Sequence, residues 1–86
     1  MKEKLKKLAE KQIKIIEEVM KNLKILEDNE LIELAKSYFY DAKYFFEKED
    51  YLNSFEAITI SWAYIDACLH FKKIEIQEEF KKFFTV

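Results

Sequence analysis

Apolar residues recur at three- and four-residue steps along nearly the whole chain, interrupted at two short acidic stretches. That periodicity predicts helices with one face turned inward. A first helix is expected over about residues 2–27, where Leu5, Leu8, Ile15, Ile16, Val19, Leu23 and Leu26 form a stripe that Ile13 and Met20 widen. Lysines and glutamates fill its other side, with Glu10–Lys14 and Glu17–Lys21 spaced as i,i+4 pairs. The basic run from Lys2 to Lys7 opposes the macrodipole at a helix start, so fraying is expected there. In the break Glu27–Glu30, Asp28 or Asn29 can cap a second helix over about 30–48. This helix would bury Leu31, Leu34, Ala35, Tyr38, Phe39, Ala42, Phe45 and Phe46, and it leaves Tyr40 and Tyr44 in the polar arc. Two tyrosines one turn apart on a wet side suggest a contact surface. The plainer reading is single exposed tyrosines lying along lysine stems.

The third helix, expected over about 51–73 with Asp50 as its N-cap, differs from the others because it is apolar on two sides. Tyr51, Phe55, Ile58, Trp62, Ile65 and Leu69 make one stripe. Ala57, Ile60, Tyr64, Ala67 and Phe71 make a second, roughly opposite. A three-helix bundle needs one wide face per helix, so the second stripe calls for a further cover. Ile76, Phe80, Phe83 and Phe84 keep helical spacing, which predicts a short helix or ordered tail over about 76–84 folding back on the bundle. The Trp62 side is expected to meet the first two helices, and the Tyr64 side the phenylalanine-rich tail, a second subunit, or both.

Composition narrows the fold class. Glycine and proline are both absent and half of the 86 residues are hydrophobic. Sheet turns and helix stops ordinarily use those two residues, so helices joined by short polar turns are the simplest solution. The expectation is an all-α protein, an antiparallel three-helix bundle with a short C-terminal helix or tail, in one domain over 1–86. Net charge is −2, and all 15 basic residues are lysine. Lacking arginine, the chain has no residue suited to bidentate phosphate or guanine recognition, which counts against nucleic-acid readout and phosphoryl transfer. The lysines of the first helix keep a nucleic-acid-associated role open as a minor alternative. Met1–Lys14 has no continuous apolar run of the kind a secretory leader needs, and Asp66 interrupts the longest apolar stretch well short of a bilayer span. A lone Cys68 fits a reducing cytoplasm. The Lys, Glu and Ile bias is of the kind found in thermophiles, and an AT-rich genome gives a similar one.

The stretch Ala35–Ile74 resembles the archaeal family known as domain of unknown function 357. Tyr38, Asp41, Ala42, Tyr44 and Phe45 match its first pattern, Asp50 and Tyr51 its turn, and Asp66 and Ala67 the end of its aromatic-rich helix. Glu49, Ala63, Cys68 and Phe71 stand where that family tends to have glycine, and Ser54 where it has alanine. The resemblance implies a three-helix bundle and an archaeal source, and it implies no activity. The hairpin of the second and third helices also resembles one tetratricopeptide-type unit, through Ala42, Phe45, Asp50, Tyr51 and Ile58. A lone unit of that kind cannot bury its own face, and the first helix would supply the missing partner.

Chemistry-bearing residues are sparse. Thr59, Asp66 and His70 fall on one narrow polar stripe of the third helix, and Asp66 and His70 are i,i+4, as a carboxylate orienting an imidazole would be. No nucleophile or oxyanion donor accompanies them, and one His with one Asp is too few for a metal. The competing reading is a buried polar cluster in which Asp66 accepts hydrogen bonds from a tyrosine hydroxyl or from His70. Asp41, at the edge of the second helix's core face, is either an exposed boundary residue or a partner for a first-helix lysine. Cys68 reads as an inert small hydrophobe. The expectation is therefore a non-enzymatic interaction or structural module without cofactor or metal, whose partner is a second copy of itself or another protein. Its candidate interface is Tyr40, Tyr44, Ile60, Tyr64, Ala67 and Phe71. A small-ligand or catalytic pocket at Asp66/His70 is the alternative.

Overall fold

Two side chains fix where the second and third helices begin. The structure, a computed structural model, describes residues 2–85, so Met1 and Val86, the ends of the expected 1–86 domain, lie outside the described residues. Its elements are α1 (Lys2–Asn22), β1 (Lys24–Ile25), α2 (Glu30–Glu47), α3 (Tyr51–His70), β2 (Ile74–Glu75) and a 3-10 helix (Glu78–Phe83). Of the two capping candidates, Asn29 is used. Its Oδ1 accepts from the Ile32 amide at 3.0 Å. Asp50 caps α3 as expected, accepting from the Asn53 amide at 3.3 Å and from the Asn53 side chain at 2.6 Å. Each satisfies an amide that the first helical turn leaves without an internal partner.

The helix ends are closed without glycine. After α2, the Glu49 amide donates to the Phe46 carbonyl and the Asp50 amide to the Phe45 carbonyl. After α3, Lys72 donates to Leu69 and Lys73 to Cys68 in the same pattern. This double closure requires a left-handed residue, which glycine normally supplies. Here Glu49 takes φ 60° and Lys72 takes φ 57°. The first stands where the resemblance expected glycine, and the second lies one residue beyond Phe71. A side chain in that region costs roughly 1–2 kcal/mol. Glu49→Gly is therefore expected to raise unfolding stability by about 0.5–1 kcal/mol, net of glycine's larger chain entropy. Denaturant melts of the two chains check this, and a lower midpoint for the variant would show that Glu49 is unstrained.

Three expected boundaries are corrected. One is the end of α3, which stops at His70 instead of about residue 73, because Lys72 turns left-handed and the chain enters β2. The first helix stops at Asn22 instead of running to about residue 27, because the chain turns to pair Lys24 and Ile25 with Glu75 and Ile74 in a two-residue antiparallel bridge. The Leu26 and Glu27 amides then both donate to the Lys73 carbonyl, at 2.8 and 3.2 Å. Leu26 consequently leaves the expected stripe and lies 46% exposed. The tail's helix is of the tighter 3-10 kind and is shorter than expected. The architecture remains all-α.

The core shows how the helices are arranged. Ile13, Ile16 and Val19 of α1 cluster with Ile32 and Phe39 of α2 and Ile58 and Ile65 of α3, and Ala9 of α1 is buried as well. The α1 stripe is thus rotated from the expected one: Ala9 is buried and Leu8 is exposed. On α2 the same shift buries Ile32 and exposes Leu34. Lys43 Nζ reaches Glu17 Oε2 at 3.4 Å, an ion pair between α1 and α2 that is half open to water and contributes less than about 1 kcal/mol.

The α2–α3 contact follows a different rule, because its buried seam is built from small residues. Ser61 Oγ donates to the Ala35 carbonyl and Ser54 Oγ to the Ala42 carbonyl, both at 2.7 Å, and both serines are fully buried. Cys68 Sγ lies 3.6 Å from Asn29 Oδ1 at the next step. Ser54, Ser61 and Cys68 are spaced by seven, as are Ala35 and Ala42. Each hydroxyl reaches the facing helix's own backbone, using the second lone pair of a carbonyl already bonded within α2. That geometry requires the two helices to lie very close.

Candidate interaction surface

With α1 on one side of the α2–α3 hairpin, the hairpin's other side is left bare. Leu31 of α2 and Ile60, Ala63, Tyr64, Ala67 and Phe71 of α3 line a shallow apolar groove of ≈ 500 Å³ there, with Thr59 at its edge. Ile60 is 39% exposed and Phe71 63%, while Tyr64 and Ala67 are half-buried. The Tyr64 ring stacks on Tyr38 of α2, centroids 5.9 Å apart and planes inclined at 19°, which ties the groove's floor to α2. An exposed, contiguous apolar surface on rigid helices is the usual form of a protein contact site.

The six candidate interface residues do not form one surface. Ile60, Tyr64, Ala67 and Phe71 come together in this groove. Tyr40 and Tyr44 are 65% and 57% exposed, but they lie on another side of α2. Tyr38 marks the groove side, and a residue two positions on is turned about 160° away around a helix. Lys48 Nζ sits 5.7 Å above the Tyr44 ring, in line with the plainer reading of a tyrosine packed along a lysine.

Of the covers expected for the Tyr64 side, the phenylalanine-rich tail is corrected. The tail runs along the Trp62 side. Trp62 meets Phe83 edge-on at 6.2 Å and Phe84 at 5.5 Å, and its indole N–H donates to the Phe83 carbonyl at 3.1 Å. Trp62 therefore does not look only to the first two helices.

The proposed polar cluster of Thr59, Asp66 and His70 does not assemble. Thr59 is exposed and its hydroxyl donates to the Phe55 carbonyl one turn back at 2.8 Å. His70 is exposed, with its ring edge-on to Phe71 at 6.0 Å. Asp66 is half-buried, and neither a tyrosine nor His70 is its partner. Its Oδ1 accepts from the Thr85 amide at 3.0 Å and its Oδ2 from the Thr85 hydroxyl at 2.8 Å. Both carboxylate oxygens are thus engaged by the tail, and the carboxylate does not orient the imidazole. Asp41 is exposed. The first-helix acid that finds a cross-helix partner is Glu17, through Lys43.

Cys68 is fully buried, and burial pushes its thiol above the ordinary range, with the nearby Lys73 ammonium opposing part of that shift. A thiol so held stays protonated near neutrality and is a poor nucleophile. Among the described residues no group of three or more His, Cys, Asp or Glu stands together as metal ligands would, and no helix is long and apolar enough to cross a membrane.

Sequence reasoning missed Ser54 and Ser61, which a hydropathy pattern reads as surface. The available signal was their heptad spacing with Cys68, matched by that of Ala35 and Ala42 across the turn.

Comparisons with known proteins bear on the fold and the family. The family model described as protein of unknown function, DUF357, matches residues 3–74. The crystal structure of protein AF1782 from Archaeoglobus fulgidus, of the same family, superposes with a TM-score of 0.79 at 28% identity, covering 88% of this chain and 97% of that one. No curated protein matches the sequence.

Proposed function

The chain belongs to the DUF357 family, and on that premise we propose that it is a non-enzymatic protein–protein interaction module working through the open side of the α2–α3 hairpin. Its first partner, in this reading, is a second copy of itself. One observation carries the proposal. The tail folds onto Trp62, so the Ile60–Tyr64–Phe71 groove has no cover from within the described chain. A twofold dimer would bring the same apolar residues of both copies together, as an isologous interface does. A net charge of only −2 puts little repulsion in its way. We further place the protein in a reducing cytoplasm, on its free buried thiol, and in a thermophilic archaeon, on its Lys, Glu and Ile bias and on the archaeal family structure.

Light scattering on the purified chain tests the dimer. At micromolar concentration the mass is expected at twice the 10.5 kDa of one chain. Introducing Ile60→Glu together with Phe71→Glu should return it to a single-chain mass with helical content unchanged. A single-chain mass at every concentration would sink the homodimer.

A further inference from the structure

The contacts that hold the tail are those by which proteins read an extended peptide. Trp62 donates to a main-chain carbonyl, that of Phe83, and Asp66 accepts from a main-chain amide, that of Thr85. A third bond, from the Thr85 hydroxyl to Asp66, asks for a hydroxyl side chain, and the Trp62 face takes two aromatic rings. Main-chain bonds give such a site its grip, and the pockets between them give its selectivity. We propose that the Trp62–Asp66 stripe of α3 is a peptide-docking site whose resident ligand is the chain's own Phe83–Phe84–Thr85. It takes the same segment from a second copy of the chain once the resident one is displaced.

The tail is secured separately from the three helices, by a bridge at its start and by aromatic packing at its end. β2 anchors the chain at Ile74–Glu75, and Ile76 is buried just after it. From there to Phe84 the 3-10 helix Glu78–Phe83 contributes no buried residue. The tail is held at Ile76 and again at its 83–85 end, where Phe84 is buried against the core cluster with Phe80 and Phe83 packed beside it. Release of that end uncovers these rings while the bridge and the helices keep their own main-chain hydrogen bonds. The family match stops at residue 74, so the bundle's common pattern is complete before the tail begins. A short connection gives the tethered segment an effective concentration on the order of 1 mM, so the self-docked form dominates in dilute solution. Exchange between copies preserves every contact of the docked state and needs only that the first segment leave. The Trp62 stripe is a different surface from the Tyr64 groove, so this inference stands or falls separately from the dimer proposed above.

The sole tryptophan reports directly on its own site. In the full chain carrying F83A, F84A and T85A, the resident segment is disabled and Trp62 emission is expected to shift to the red. A synthetic peptide of residues 77–86 should then reverse that shift saturably below about 1 mM, because a segment tethered at that effective concentration stays docked only if its affinity is tighter than this. Adding Asp66→Asn, or replacing the peptide's threonine by valine, should each weaken binding by roughly tenfold, the loss expected of a charge-assisted hydrogen bond. In the unmodified chain, amide exchange at Thr85 should run at least tenfold less protected than at Ile65, as local opening of the tail requires. No saturable return of the emission, equal binding with and without Asp66, or Thr85 exchange only through global unfolding would each overturn the proposal. Loss of helical structure in the triple variant would do so as well, because it would mean that the helices do not stand without the rings of the tail.

Discussion

Ala35→Leu is expected to lower the unfolding free energy by about 3 kcal/mol, the upper part of the range for forcing extra methylenes into a packed site. Ala35 is fully buried, and its own carbonyl receives the Ser61 hydroxyl at 2.7 Å. A hydroxyl attached one carbon from the α3 backbone can reach an α2 carbonyl only if the two backbones nearly touch. A leucine there has no room to turn, and it can be accommodated only by prising the helices apart. That movement would also stretch the equivalent bond from Ser54 to Ala42, since both belong to one heptad-spaced seam. For a domain of this size each kcal/mol corresponds to roughly 4–8 °C in Tm, so a fall of more than about 10 °C is expected. Ser61→Ala makes the informative contrast. It removes the hydroxyl and adds no volume, and the Ala35 carbonyl keeps its helical partner, so the loss should be about 1 kcal/mol. Equal effects of the two substitutions in thermal melts would mean that hydrogen bonding, not close approach, sets the seam.

That seam also shows how far the sequence could be read. The helices, their caps at Asp50 and at Asp28 or Asn29, and the doubly apolar third helix follow from local rules, because caps and periodicity act within a few residues. Ser54 and Ser61 do not announce themselves in this way: a serine reads as surface until a specific carbonyl is placed opposite it. The same limit applies to Asp66. Its position beside the core face marked it as needing a partner, but that partner, Thr85, lies 19 residues along the chain. The end of α1 was misread for a related reason. Leu23 and Leu26 continue a helical stripe, and only the pairing of Lys24 and Ile25 with Ile74 and Glu75 ends it earlier. The open groove was half legible. The second apolar stripe named Ile60, Tyr64, Ala67 and Phe71, whereas the order of elements around the bundle, which sends the tail to Trp62, is decided by tertiary packing alone.

The clearest measure of the two sides of α3 is one substitution made twice. Ile65→Ala and Ile60→Ala remove the same atoms from the same helix, five residues apart. Ile65 is fully buried within the core cluster, so its loss removes transfer energy and leaves a cavity that the helices can only partly close. The expected cost is about 2–5 kcal/mol, a large fraction of the roughly 5–15 kcal/mol that holds a small domain folded. Ile60 is 39% exposed on the open groove, and in a monomer its truncation should change stability by no more than about 0.5 kcal/mol. Chemical denaturation of both variants at low protein concentration separates these values. At high concentration the order carries a second message. If the groove pairs with a second copy, Ile60→Ala weakens the dimer and becomes destabilising in a concentration-dependent way, because association adds to apparent stability by mass action. The Ile65→Ala deficit measured against the parent chain, by contrast, should stay much the same at every concentration. A concentration-independent Ile60→Ala would leave the groove without a partner copy, and a mild Ile65→Ala would contradict the placement of α3 itself.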